Sequence, residues 1–282
     1  MKKTVKRILW ILLILILFAG VAMSVLIYKI KNGFPVSYET EKPAINFPSD
    51  QPAILIFSKT TGFWHGESID ASLPVFSGMA KLNQWFIYQT EEGGVFNPEQ
   101  LKRFSAVIFN NSTGRVLSDE QQKFLSQYVD SGGTLLGIHG SGDNSHHWPW
   151  YETHLLGTQF SHHPIDPHLQ KTDVHTETHA DSALTRKLSS VWTSEDEWYV
   201  FSSQPRDMHI LSYINGEKII PNGNFLWTTD KNFGMGNYHP VAWYRTVGKG
   251  KTFYTSMGHS KEVWQNPNFV QMIENAIQWS VQ

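Results

Sequence analysis

From Ala53 onward the chain alternates short β-branched or aromatic runs with amphipathic stretches, the pattern of strands joined by helical crossovers. Ala53–Phe57 reads as a buried strand, and the apolar positions Ile69, Leu73, Phe76 and Leu82 read as the inner face of a following helix. Trp85–Tyr88 and Ala106–Phe109 read as the next two strands. Ser118 to Gln121 forms a capping-box pattern, opening a helix whose Phe124, Leu125, Tyr128 and Val129 share one face and which stops at Gly132. Thr134–Ile138 is a fourth strand. Between about 160 and 250 the pattern is strand-rich and less regular, with a hairpin expected around Thr246–Lys251 and a strand from Thr252 to Ser256. A last helix starts at Pro267 behind an Asn266 cap, with Phe269, Met272, Ile273, Ala276 and Ile277 as its apolar stripe. The expected fold is α/β: a doubly wound, mostly parallel sheet carrying an antiparallel insertion.

Ahead of this body lies an apolar run from Ile8 to Ile27, broken only by Ser24 and preceded by Lys2, Lys3, Lys6 and Arg7. Twenty helical residues at about 1.5 Å each match the roughly 30 Å of a bilayer's hydrocarbon core. A cleaved signal peptide is the alternative, but the run exceeds the usual apolar length and no small-x-small site follows it. Residues 1–28 are therefore expected to be a single-pass membrane anchor. The leading basic residues place the body on the extracytoplasmic side, against the weaker pull of Lys29 and Lys31. Residues 29–51, with Pro35, Pro43 and Pro48, read as a linker, and 52–282 as one domain.

Composition narrows the function. The 282 residues are 40% apolar and 17% charged, so the chain is not disordered. Beyond residue 31 there remain 17 basic and 25 acidic residues, a net of −8, which argues against a nucleic-acid partner. The absence of cysteine removes disulfides, thiolate metal sites and any thiol nucleophile.

An open parallel sheet binds its ligand at the carboxyl ends of its strands. Those ends carry Thr60-Thr-Gly-Phe-Trp-His65, Asn110-Asn-Ser-Thr-Gly114, His139-Gly-Ser-Gly-Asp143 and Gly258-His259, so three histidines and an aspartate are expected to converge on one cleft. Gly137-Ile-His139-Gly140 has the strand, sharp turn and helix of a nucleophile elbow, with imidazole at the elbow position. Imidazole serves poorly as an acyl carrier and well as a general base or metal ligand.

These segments, with Trp148-Pro-Trp-Tyr151, His162-His-Pro164, Asp196-Glu-Trp-Tyr199, His239-Pro-Val-Ala-Trp243 and Phe253 to His259, resemble the trehalose-utilisation ThuA-like family of the class I glutamine amidotransferase-like superfamily. The resemblance implies a flavodoxin-like sheet, with His139 where amidotransferases carry cysteine and His259 near their triad histidine. Glutaminase activity is not implied, because the nucleophile is missing. Ser141 departs from the second glycine of the amidotransferase elbow, which leaves a looser turn to be expected. The resemblance further implies work on a glycoside or its 3-keto derivative in carbohydrate metabolism, by hydrolysis or elimination with histidine acid/base chemistry.

On that reading His139 is the base or polarising group, Asp143 orients an imidazole, and Glu197 or His259 is the acid. Thr61, Phe63, His65, Asn111, Trp150, His163 and His239 are candidate substrate contacts. Alternatives stay open: Glu197 as a turn cap, Trp148, Trp150 and Tyr151 as core packing rather than sugar stacking, and His146, His147, His168, His175 and His179 as loop decoration. His65, His139, His163, Glu197, His239 and His259 are all competent ligands for a divalent metal, although no local ligand spacing supports one. Whether a cofactor is present is undetermined at this level. A non-catalytic carbohydrate-binding module or an interaction scaffold on the same fold is the other functional class.

Overall fold

A computed structural model describes residues 2–32, 37–146, 148–220 and 236–281, with the side chains of 2, 30, 31, 32, 145 and 146 also outside the description. The described residues form eleven strands: β1 Ala53–Phe57, β2 Phe86–Thr90, β3 Phe104–Asn110, β4 Thr134–Ile138, β5 Phe160–His162, β6 Gln170–Thr176, β7 Val191–Asp196, β8 Val200–Phe201, β9 His209–Ile214, β10 His239–Val247 and β11 Gly250–Thr255. Nine of them make one sheet in the order β2-β1-β3-β4-β11-β10-β9-β6-β7, and β5 pairs with β8 in a separate ribbon. The first five in that order are mutually parallel, the strand order of a flavodoxin-like fold. The remaining pairings are antiparallel, and because the reversals alternate, seven of the nine strands still point one way. This is the expected parallel sheet with its antiparallel insertion.

The apolar runs of β1 and β3 are continuous because both faces of the sheet are covered. Alternate residues divide between two cores: Ile54, Ile56, Ala106 and Ile108 join one, and Leu55, Phe57, Val107 and Phe109 the other. Helices Gly66–Asn83 and Pro267–Ser280 cover the first face with Phe76, Met79, Met272 and Ile273, and Asp119–Asp130 covers the second with Leu125, Tyr128 and Val129. Both expected caps form. The Ser118 side chain accepts from Gln121 N while Gln121 reaches back, and Asn266 accepts from Asn268 N ahead of Pro267.

Three expectations shift. Leu82 is 82% exposed, because it lies six residues past Phe76 and so about 120° off its face; Met79 fills the inner position instead. The second strand begins at Phe86, one residue later than its apolar run, as an edge strand only half covered. Residues 37–51 carry no regular structure and lie against the body. Glu39 pairs with Lys59 at 2.6 Å and accepts from Gly93 N at 2.9 Å, Gln100 donates to the Pro43 carbonyl, and Phe47 packs edge-on to Phe104.

At the N-terminus, Lys2–Asn32 is one helix, of which Lys3–Lys29, holding an 18-residue window with mean hydropathy 2.9 and none of it buried, is long and apolar enough to span a bilayer or to serve as a signal sequence.

Candidate active site

The parallel strands deliver their side chains to one edge as their directions require. His65 ends the loop after β1, Asn111 follows β3, His139 follows β4, and His259 lies four residues beyond β11. Glu197 follows β7 at the far side of the insertion. Its neighbour Asp196 ties the two regions together: Oδ1 accepts from the N–H groups of Glu197 and His259, and Oδ2 from Gly258 N–H, all within 3.0 Å.

His139 has a φ of +43°, so the elbow turn is sharp despite Ser141; Gly137, two residues earlier in the strand, leaves the room a side chain would take from Ser141 Oγ. The ring is fully buried. Nδ1 lies 2.7 Å from the Ser256 carbonyl, which can only accept, so Nδ1 carries the proton and Nε2 faces the cleft. There it lies 3.1 Å from His259 Nδ1 and 3.2 Å from Glu197 Oε2. His259 Nδ1 is itself 3.2 Å from Glu197 Oε2. The other carboxylate oxygen, Oε1, meets His168 Nε2 at 2.6 Å and His163 Nδ1 at 3.1 Å. Four imidazoles therefore share one buried carboxylate, two on each oxygen. A fifth, His65, stands edge-on to His139 and His259 with ring centroids 4.8 and 5.1 Å away.

Electrostatics follow from this geometry. Burial pushes the Glu197 carboxyl up, but its hydrogen bonds to His139, His168 and His259 outweigh it and hold the group well below the usual carboxylate range. Burial works against protonated His139 and Glu197 works for it, with a net rise. His168 is raised by its bond to Glu197, His163 is lowered by burial, and His65 is driven well down by burial and then by the neighbouring imidazoles.

Of the expected contacts, His65, Phe63, His139, His163, Glu197 and His259 come together. Phe63 is 61% exposed and stands edge-on to His65 at 4.9 Å, at the rim. Thr61 and Asn111 are buried braces. Thr61 bonds the Thr113 carbonyl, while Asn111 donates to Ser68 Oγ and the Gly258 carbonyl and accepts from Gly140 N–H at 3.2 Å. Trp150 lies elsewhere, stacked on Trp148 at 5.3 Å and packed against the second core. His239 is also outside the group: its Nε2 bonds the Tyr199 carbonyl at 2.8 Å, and burial lowers its pKa to about 4.

Asp143 makes no hydrogen bond to an imidazole among the described residues. Its Oδ1 is buried without a partner, and burial raises its pKa to about 7. The Ser256 carbonyl does the orienting instead, because β11 ends directly beside the elbow. His168 is the member of the cluster that a reading of loop decoration misses; its one signal is the density of histidine and proline in His162-His-Pro-Ile-Asp-Pro-His168. Asp196 is the second, hidden by its neighbour Glu197. His147, and the side chain of His146, lie outside the described residues.

Fold and site together define an α/β protein with a mostly parallel, flavodoxin-like sheet whose strand ends gather a cluster of histidines around one buried carboxylate. Residues 53–280 match the family described as trehalose utilisation, ThuA, and the chain belongs to that family. Solved structures of similar fold include ThuA-like proteins from Bacteroides uniformis ATCC 8492, 20% identical with a TM-score of 0.67 over 88% of this chain and 96% of that one, and from Parabacteroides merdae ATCC 43184, 14% identical with a TM-score of 0.60 over 83% and 91%. A β-galactosidase from Rahnella sp. R3, 12% identical, aligns with a TM-score of 0.50 over 82% of this chain and 31% of its own. No curated protein matches the chain.

Proposed function

We propose that this ThuA-family protein acts on a 3-keto-glycoside that reaches it already oxidised at C3, by acid/base chemistry at the histidine cluster. The observation that carries the reading is the single Glu197 carboxylate held between two deep imidazoles, His139 and His259, and two at the mouth, His163 and His168. A ketone at C3 acidifies the C2 proton. His139, as the imidazolium that Glu197 favours, donates from Nε2 to polarise that carbonyl. One mouth imidazole takes the C2 proton, the C1–C2 double bond forms as the C1–O bond breaks, and the other mouth imidazole protonates the departing oxygen. No oxidant is consumed, and water adding across the resulting enone makes the net reaction a hydrolysis. His163 and His168, with side chains 34% and 43% exposed, have the access to exchange protons with solvent that buried His139 lacks. Phe63 offers an apolar face for the ring.

Acyl transfer from glutamine finds no support in the same geometry. The backbone N–H after the elbow residue, which would bind an oxyanion, already donates to Asn111.

In this reading the N-terminal helix is an uncleaved anchor through residues 8–27, and the body works on the extracytoplasmic side, where its substrate arrives as a sugar-derived small molecule. The test is a proton NMR time course on the full chain in detergent, offered trehalose and its 3-keto form. Consumption of the keto sugar, slowed about 100-fold in the His163→Ala/His168→Ala double variant, is expected. An unaltered keto sugar with broadened resonances would make the protein a binding module, and equal turnover by the double variant would remove the assigned roles.

A further inference from the structure

The geometry points to a divalent metal site of zinc type, built by His65, His139, His259 and Glu197 around one ion. The inference shares the site proposed above but not its substrate.

The donor atoms of these four residues lie within 4.8 Å of one another. Three of them, His139 Nε2, His259 Nδ1 and Glu197 Oε2, form a triangle with edges of 3.1, 3.2 and 3.2 Å. A tetrahedral ion with bonds of about 2.0–2.1 Å spaces its ligands about 3.3–3.4 Å apart. The triangle is thus nearly the face of such a tetrahedron.

Hydrogen bonding alone does not account for it. With His139 Nδ1–H committed to Ser256, protons on both His139 Nε2 and His259 Nδ1 would serve Glu197 but set two N–H groups against each other. With one proton, a lone pair faces the carboxylate. No placement satisfies all three edges, whereas a cation among them satisfies every one.

His65 supplies an independent indication. The residue is 6% exposed, stands beside both other imidazoles and brings one ring nitrogen within 4.8 Å of the other three ligand atoms, and its Nδ1 is buried with no hydrogen-bond partner, so the ring is not committed elsewhere through that atom. The surroundings also suit a metal. Ser256 fixes the His139 tautomer that leaves Nε2 free, and His168 and His163 hold the carboxylate oxygen Oε1 that does not face the triangle, which orients Oε2. In sugar chemistry such an ion would polarise the C3 carbonyl.

The full chain in detergent, stripped with a chelator and titrated with Zn²⁺ against a chromophoric competitor, should take up one tight equivalent. His139→Ala and His259→Ala should each weaken it about 100-fold, with His175→Ala, on β6 and stacked on Tyr213, unchanged. Because removing a buried ring can unfold the elbow, Glu197→Gln, which preserves shape, and the partly exposed His259 serve as the second line, with Co²⁺ absorption reporting coordination directly. Loss of the cobalt bands in Glu197→Gln while the fold persists supports the site. Absence of a tight equivalent in the wild type, or equal affinity in the site variants, overturns it. Neither readout involves sugar, so a protein that binds zinc but leaves the keto sugar intact would refute the function and keep the metal.

Discussion

Asn111 Oδ1 accepts a hydrogen bond from the backbone N–H of Gly140 at 3.2 Å, and its amide nitrogen donates to Ser68 Oγ and the Gly258 carbonyl. One buried side chain thus joins the ends of β3, β4 and β11 beneath the histidine cluster. It also sits at a φ of +56°, which asparagine tolerates better than most residues.

Asn111→Ala should therefore cost about 2–3 kcal/mol, read as a lower denaturant midpoint with unchanged slope, because the Gly140 donor is left buried and unpaired. Ammonia release from glutamine should remain at background in His139→Cys, since restoring a thiol does not free that donor. Appreciable glutaminase activity in the single variant would contradict the bond.

The pH dependence of stability contains a separable contribution from His239. Burial holds its folded pKa near 4 against an ordinary 6.5. Above 6.5 both states are neutral and the contribution is fully present. As pH falls below 6.5 the unfolded chain takes up a proton that the folded one refuses, so stability is lost until the folded ring titrates near 4. The total is about 3 kcal/mol. Other buried groups titrate over the same range, so the measurable quantity is the difference from His239→Gln, which keeps a donor for the Tyr199 carbonyl. The wild type should lose about 3 kcal/mol more than the variant between pH 7 and pH 4, by urea unfolding at each pH; parallel curves would refute the buried neutral ring.

How far the sequence reveals this molecule depends on the range of the interactions. Ala53–Phe57, Thr134–Ile138 and both capped helices are readable because periodicity and caps are local. Leu82 misleads because its fate depends on where the helix turns, not on its own polarity. Among site residues, those at strand ends beside glycine, His139 and His259, are visible from the parallel-sheet rule. His168 is not, since it enters from a proline-rich loop of the insertion, and the Ser256 carbonyl that orients His139 is backbone and carries no signature. Asp143 is the converse case: a carboxylate in a suggestive motif whose buried oxygen meets no imidazole.

Residues 37–51 should behave as a docked strap. Lys59, only 8% exposed, has its charge answered by Glu39, so Glu39→Ala leaves a nearly buried ammonium unpaired and releases the segment. Limited proteolysis should cut 37–51 about tenfold faster in Glu39→Ala and in Phe47→Ala than in the wild type, while the body stays intact. Equal rates would mean that the segment is already free.

Trp150 and Phe63 look alike in sequence and stand in different surroundings. Trp150 stacks on Trp148 and packs against the second core, so Trp150→Ala should cost about 2–3 kcal/mol of stability and leave sugar affinity unchanged. Phe63 is 61% exposed at the rim beside His65, so its removal loses little buried area. Phe63→Ala should keep the wild-type melting temperature within about 1 °C and weaken keto-sugar binding about tenfold, seen as a raised KM or a loss of saturation-transfer signal. The reverse pattern, with Trp150 governing affinity and Phe63 stability, would move the sugar away from the cluster and with it the roles assigned to His163 and His168.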